Sequence, residues 1–279
     1  GLNIEGTRSN LITDQDLAPV LSQRTTTDHK WTNAVRLIAA SPGMVGAAQL
    51  AASGALRAGA GMVVVSSPTI NLQSDHMPPE AVTRKITAAT LVPEVLKDLD
   101  RFAALLIGPG LGTDPETVAM TAELIERSPI PTVVDADGLT AVATHPTCVR
   151  RSASTTVLTP HDGEFEKLTG SPPASDRCAA VRSAAKNCAV LLKGPTTLVS
   201  DTNGDLIFVR NANQRLATAG TGDVLTGIIG AVIRNTPIHL AAAVAAHWHG
   251  QAAQLAQPDM TASDLPLLLQ SARSEMLTK

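Results

Sequence analysis

A lone carboxylate set among glycines and hydroxyls at the mouth of an apolar helix is where this sequence could do chemistry. The stretch TAGTGDVLTG, Thr218 to Gly227, places Asp223 behind Gly220, Thr221 and Gly222 and ahead of the apolar run VLTGIIGAVI. Two uses are open to it. Asp223 could cap the helix, or the small residues could cradle an anion with a working acid beside it. Helix N-termini attract anions through outward-facing N–H groups and the helix dipole, and glycine lets the backbone approach a ligand closely. A cap gains nothing from the glycine string, whereas a phosphate site needs it. A phosphoryl group held there would leave Asp223 within reach of a hydroxyl to be phosphorylated. Phosphoryl transfer asks a protein mainly for positioning, charge stabilisation and an acid that orients or deprotonates the nucleophile.

Four further stretches could serve the same site. In IGPGLGTDPE, Ile107 to Glu116, Gly108, Gly110 and Gly112 alternate, which suits either a tight turn or close approach to a ligand. VVDADGL ends an apolar run with Asp135 and Asp137. Asp137 could cap the next helix, while Asp135 lies where a strand empties into a crevice and could meet substrate or metal. VLTPHDGEFEKLTG carries His161 and Glu164, which share a face if Asp162 starts a helix. Glu164 could be a metal ligand or a cap. LLKGPTTLV brings Lys193 and Gly194 to a strand tip, where a lysine can meet phosphate or a nucleotide, or snorkel to solvent. His247 and His249 in HWHG are two apart and face different ways on a helix, so neither a shared metal nor a part in the chemistry is expected of them.

The surrounding pattern supplies a scaffold for these stretches. AVRLIAA (Ala34 to Ala40), GMVVVSS, FAALLIG, PTVVDAD, TTVLTP and VLLKG read as strands, bounded by glycine and proline. Between them VGAAQLAASGALRAGA, DPETVAMTAELIERS and RCAAVRSAAKNCA read as helices, the second with Asp114 as N-cap and Pro115 in its first turn. TTLVSDTNGDLIFVR reads as a hairpin turning at Asn203-Gly204. The last third is helical. Alternating strands and helices predict an α/β domain with a mostly parallel central sheet and helices on both faces. The hairpin predicts an antiparallel addition at one edge. In such sheets ligands bind beyond the carboxyl ends of the strands, where all the stretches above fall. Residues 1–30 read as a lead-in outside the core, and 31–279 as one domain.

Composition narrows the function classes. The 279 residues are 44% hydrophobic but only 2% aromatic, with no tyrosine, so the core is aliphatic and rich in alanine. A net charge of -3 gives no footprint for nucleic acid or for an anionic membrane. Cys148, Cys178 and Cys188 are odd in number and lack metal-site spacing, which argues against a disulfide framework and against zinc. The opening residues lack the basic start and apolar run of a signal peptide. A cytoplasmic protein acting on small molecules is the expectation.

Together the segments GAAQLAASGALRAGAGMVVV, GPGLGTD, VVDADGL, LTPHDGEF, LLKGPTTLV and ATAGTGDVLTGIIGA resemble the ADP- or ATP-dependent NAD(P)H-hydrate dehydratases, within the ribokinase-like superfamily. They run in family order from about His29 to the helix around His249, nearly the whole chain. The resemblance implies a ribokinase-like three-layer sandwich. It also implies dehydration of (6S)-NADHX and (6S)-NADPHX to NADH and NADPH, with ADP giving AMP and phosphate. Carried over by motif, Ala47, Gly110, His161 and Asp223 would contact the hydrate, with Asp223 catalytic. Lys193, Gly194, Pro195, Thr196 and Thr197, with Gly220, Thr221 and Gly222, would hold the nucleotide. Mg2+ would bridge phosphate oxygens, with Glu164 and Asp135 as indirect ligands. A homo-oligomer, a tetramer by resemblance, is implied, and the opening GLNIEG resembles the tail of an epimerase domain in longer members.

The pattern departs from the family where AASPGMVG stands for a glycine-rich GGS-like turn, where HKW (His29 to Trp31) stands for HKG, and at Ala34. These departures are expected to flank the hydrate side. Two other readings remain: a kinase of the same fold acting on a vitamin-precursor alcohol, and a nucleotide-binding relative without activity. An ATP-dependent form of the dehydratase is the nearer alternative.

Overall fold

The computed structural model describes residues 9–21, 25–150, 155–173, 175–210 and 213–278. Ten strands form one sheet: β1 (Ser9–Leu11), β2 (Ala34–Ile38), β3 (Met62–Ser66), β4 (Ala81–Thr83), β5 (Ala104–Ile107), β6 (Thr132–Val134), β7 (Thr156–Leu158), β8 (Ala189–Leu192), β9 (Thr197–Ser200) and β10 (Leu206–Val209). Their order across the sheet is β1-β10-β9-β8-β7-β6-β5-β2-β3-β4, and the run from β8 to β4 is parallel throughout. Valine, leucine and isoleucine fill these strands because a parallel sheet is covered on both faces.

Side chains alternate between two cores with the strand period of two. On β2 and β5, Val35, Leu37, Ala104 and Leu106 enter one core, while Ala34, Ile38, Leu105 and Ile107 enter the other. The first core is closed by α1 (Val45–Arg57), α7 (Thr221–Val232), α8 (Ile238–Leu255) and α9 (Leu265–Leu277). The second is closed by α2 (Leu91–Leu96), α3 (Pro115–Arg127), α4 (Asp137–Thr144), α5 (Asp162–Thr169) and α6 (Arg177–Ala184). The result is the three-layer arrangement with helices on both faces. Helix α3 begins as the sequence requires, with Asp114 Oδ1 accepting from Thr117 N–H at 3.0 Å and Pro115 in the first turn.

Two expectations need correction. The lead-in enters the core: β1 pairs in parallel with β10, and Ile12, Leu17 and Leu21 are buried. Three apolar side chains spaced through an otherwise polar segment suffice to dock it, aided by Asp14 Oδ1 at 2.8 Å from His247 Nε2 and by Arg273 donating to the Leu21 carbonyl. In consequence the β9–β10 hairpin, antiparallel as its Asn203-Gly204 turn required, does not form the sheet edge; β1 covers it. Strand β4 and helix α2 carry too few residues to show a period and had no sequence signal. GLNIEG lies outside the described residues. No described helix is long and apolar enough to cross a membrane.

The packing that positions the site is the crossing of α1 over α7. A Cβ on Gly54 would collide with the Val224 carbonyl, and one on Gly227 would meet the Ala51 carbonyl oxygen and lie 2.6 Å from Ala55 N. The two backbones therefore touch, which only glycine permits. This fixes the first half of α7, with its acid, against the second half of α1. Gly227→Ala is expected to lower stability by about 1–3 kcal/mol through overpacking and to depress activity, since the two helices must separate where they cross. Urea unfolding and steady-state kinetics on the same preparation check both effects.

Candidate active site

The carboxyl ends of β2, β5, β6, β7 and β8 lie side by side, and the chain leaving each contributes to one depression. Asp135 follows β6 at its floor, 2% exposed. Its Oδ1 accepts from Thr159 Oγ1 at 2.7 Å and from Lys193 Nζ at 2.9 Å, and its Oδ2 accepts from Thr226 Oγ1 at 2.7 Å. Burial opposes ionisation of this carboxyl, but the Lys193 ammonium and the donated hydrogen bonds outweigh it, holding Asp135 below the ordinary carboxylate range. Burial likewise opposes the charge on Lys193, and Asp135 and Glu164 more than restore it. Glu164 Oε2 lies 3.7 Å from Lys193 Nζ.

Asp223 sits in the first turn of α7, behind Gly220 in the left-handed region at φ 90°. Its carboxyl is pushed up to about 7. The chief cause is burial; the Asp135 charge adds to it, Lys193 opposes it, and Asp137 and Glu164 add smaller increments. A carboxylate with a pKa near neutrality is matched to general-base work at physiological pH. Gly222 comes closest to the lysine, since a Cβ there would stand 3.5 Å from Lys193 Nζ and 3.8 Å from Asp135 Oδ2. The helix start, lysine and acid thus converge on one point. The first N–H groups of a helix have no partner within it, so Gly222 and Asp223 present theirs to the same place.

The glycine loop after β5 closes the opposite wall. Gly110, at φ 58°, packs so tightly on α1 that a Cβ would lie 2.9 Å from Met44 Cβ and 3.0 Å from Ala47 Cβ. Ala47 and Gly110, two of the proposed hydrate contacts, are therefore neighbours. Asp137 ties this loop down, accepting from Gly112 N–H at 2.9 Å.

His161 takes up an unusual post as N-cap of α5. Its Nδ1 accepts from Gly163 N–H at 3.1 Å and Glu164 N–H at 3.3 Å, while Glu164 Oε2 accepts from His161 N–H at 2.8 Å. Because Nδ1 accepts, Nε2 carries the ring proton in the neutral form, on a side chain that is 60% exposed. Glu164 is thus a cap, the second of its two sequence readings. Asp135 and Glu164, expected as indirect metal ligands, both lie against Lys193 Nζ, at 2.9 and 3.7 Å.

Beside the acid lies a pocket of about 540 Å³. Lys193, Gly194, Pro195 and Thr197 line one side, Thr221, Gly222 and Leu225 of α7 another, and Ala246 and His249 of α8 the back. The nucleotide residues expected from sequence meet here, except that Thr196 and Gly220 are outside its lining. Three residues escaped the sequence reading. Thr226 stands three after Asp223, a helical spacing that could have been noticed, but its partner Asp135 is 91 residues away. Thr159 gave no signal. His249 was set aside as unneeded.

The departures from the family pattern fall at two different ends of the sheet. Ala40 stands at φ 72°, a conformation glycine adopts freely, in the turn that faces the site. His29, Trp31 and Ala34 instead precede or begin β2, at the amino ends of the strands, so they do not flank the hydrate side. Trp31 packs edge-on against Phe102 at 5.5 Å with the Arg101 guanidinium over its ring at 3.9 Å. A tryptophan fits there because it closes the bottom of the second core.

Comparison with known proteins adds an independent line. The profile of a family described as NAD(P)H-hydrate dehydratase matches residues 35–274. A bifunctional NAD(P)H-hydrate repair enzyme of Moorella thermoacetica is 36% identical over 92% of this chain and 53% of its own length. The corresponding enzyme of Mycobacterium leprae is 37% identical over 86% of this chain and 49% of its own. The chain therefore spans about half the length of the curated relatives it matches. Among solved structures, an ADP/ATP-dependent NAD(P)H-hydrate dehydratase of Bacillus subtilis, crystallised with ATP and Mg2+, superposes with a TM-score of 0.79 at 27% identity, covering 99% of this chain and all of that one.

The raised carboxyl predicts a specific stability profile. The folded pKa of Asp223, about 7, exceeds its ordinary value of 3.8. Its contribution to stability is therefore complete below about pH 4 and lost as pH rises through about 7. Asp223→Asn removes that loss, so its melting temperature is expected to exceed that of the unsubstituted protein at pH 8 and to match it near pH 4. Thermal scans at the two pH values check the sign.

Proposed function

Because this chain belongs to the NAD(P)H-hydrate dehydratase family, matched over residues 35–274, we propose that it dehydrates (6S)-NADHX and (6S)-NADPHX at the expense of ADP. The observation that carries this reading is the half-buried acid at the glycine-lined start of α7, with Lys193 and a pocket of nucleotide size beside it. Hydroxide is a poor leaving group and phosphate a good one, so the protein first converts one to the other. Asp223 accepts the proton of the C6 hydroxyl as that oxygen attacks the terminal phosphoryl of the nucleotide. The P–O bond to the donor breaks and AMP leaves. Lys193 and the N–H groups at the start of α7 stabilise the charge that accumulates on the transferring group. The ring nitrogen of the hydrate then expels phosphate, and loss of a proton from C5 restores the double bond.

The hydrate lies on this reading between Ala47, Gly110 and His161, whose Nε2–H is available as a donor. Ala47 and Gly110, with no side chain beyond Cβ, leave room for the hydrated tetrahydropyridine ring. Magnesium would be held beside the phosphates through water, with Glu164 and Asp135 as indirect ligands. When bound it neutralises phosphate charge. The reading extends to a homo-oligomer, a tetramer by resemblance, in the cytoplasm. It also extends to an epimerase domain on a longer chain, which the bifunctional names and greater length of the relatives support.

The experiment is direct. Protein, Mg2+, NADHX and either ADP or ATP are mixed, and regenerated NADH is followed by absorbance. Turnover with ADP, kcat/KM rising to a plateau through about pH 7, and a fall of about 10²–10⁴-fold in Asp223→Asn are expected. Turnover with ATP alone would reassign the donor. Phosphorylation of a thiamin-precursor alcohol, with no NADH, would overturn the dehydratase reading. Native mass measurement tests the assembly.

A further inference from the structure

Arg177 opens α6 and reaches the loop that leaves β8 for the nucleotide pocket. Asp176 fixes the helix start, accepting from Ala179 N–H at 3.0 Å. Nη1 of Arg177 lies 2.8 Å from both carboxylate oxygens of Asp162, the residue after His161. Nη2 donates to the Lys193 carbonyl at 3.0 Å. A Cβ on Gly194 would stand 2.6 Å from the same Nη2, so the loop backbone rests directly on the guanidinium. The planar fork of an arginine holds two such acceptors at a fixed angle, which the single ammonium of a lysine does not. One side chain thus ties the loop that bears Lys193 to the start of α5.

The contact to Lys193 decides where the next N–H points. Strand β8 lies between β7 and β9. Lys193 N–H donates towards β7, to the Pro160 carbonyl at 2.9 Å. The Lys193 carbonyl, held by Arg177 beside Asp162, is turned to the same side. The peptide that follows is trans, and in a trans peptide the carbonyl and the next N–H point in opposite directions. Gly194 N–H is therefore turned towards β9. On that side Thr197 of β9 and Val209 of β10 line the pocket with Lys193 and Gly194. Gly194 is exposed, and its N–H has no partner among the described residues. Phosphate oxygens are charged acceptors suited to such a donor. Resting on the nucleotide assignment of this pocket, we propose that Arg177 is a positioning residue for phosphate recognition: by holding the Lys193 carbonyl it presents Gly194 N–H to a phosphate oxygen of the nucleotide.

Calorimetric titration tests this with ADP and with adenosine, which has no phosphate, on the unsubstituted protein, Arg177→Met and Arg177→Lys. Loss of one hydrogen bond to a charged oxygen corresponds to about 10-fold in affinity. Arg177→Met is expected to bind ADP about that much more weakly and adenosine as before. Arg177→Lys, which keeps a donor for the carbonyl, regains part of the loss. In unsubstituted protein labelled with ¹⁵N-glycine, the Gly194 amide proton is expected to shift downfield with ADP and to stay in place with adenosine. Should Arg177→Met fail to fold, Arg177→Lys carries the comparison, with an intermediate loss for ADP, none for adenosine and a smaller Gly194 shift.

Unchanged ADP binding in Arg177→Met would overturn the assignment. So would a Gly194 amide that does not move when ADP is added. An equal loss for ADP and adenosine would also overturn it, since that pattern marks a general structural role and not phosphate recognition. Failure of ADP to bind the unsubstituted protein would refute the nucleotide reading itself, a result distinct from ADP binding that is indifferent to Arg177.

Discussion

The structure depends on a buried ion pair between Asp135 and Lys193, 2.9 Å apart under the carboxyl ends of the strands. Taking two charges out of water is expensive, and the attraction between them compensates only when their remaining hydrogen-bonding capacity is satisfied. Here Thr159 and Thr226 complete the carboxylate, and each comes from a different element. The pair therefore joins the exits of β6, β7 and β8 to helix α7 in one network. Removing either partner would leave an uncompensated buried charge, so the arrangement is rigid where phosphoryl chemistry needs rigidity.

The same network sets the acid. Asp223 shares the first turn and a half of α7 with Thr226, and so is held near a carboxylate that stays ionised. Burial and that neighbouring charge raise its pKa, while Lys193 keeps the increase from going further. Two neighbouring aspartates are thereby driven in opposite directions. One is a permanent anion that positions; the other takes up and releases a proton near neutral pH. Pairs of titratable groups separated in this way mark the division of labour in many active sites.

Backbone contact supplies the remaining constraint. Glycines at the α1–α7 crossing, and Gly110 against Met44 and Ala47, let main chains touch where side chains would hold them apart. On the proposed reading, the Ala47–Gly110 wall and the pocket lined by Lys193 and Gly222 serve the hydrate and the nucleotide of one site. The scarcity of aromatic residues noted in the sequence follows from the same requirement, since alanine and glycine allow close helix packing.

Much of this was legible in the sequence because it is local. The buried strands announced themselves by unbroken valine and leucine runs, α3 by Asp114 and Pro115, the hairpin by Asn203-Gly204, and the glycine-lined start of α7 by Gly220 to Asp223. Short elements such as β4 and the docking of residues 9–21 were not, because three residues show no period and sparse apolar positions are indistinguishable from scatter. The choice between competing uses of one residue also lay beyond the sequence. Glu164 as a cap, Asp135 as the anchor of Lys193, and His249 at the back of the pocket each depend on partners brought together by the fold. Sequence spacing determines which side chains share a helix face or a strand end. Which charges are removed from water together is determined only when the layers pack, and that step decided the protonation of Asp223.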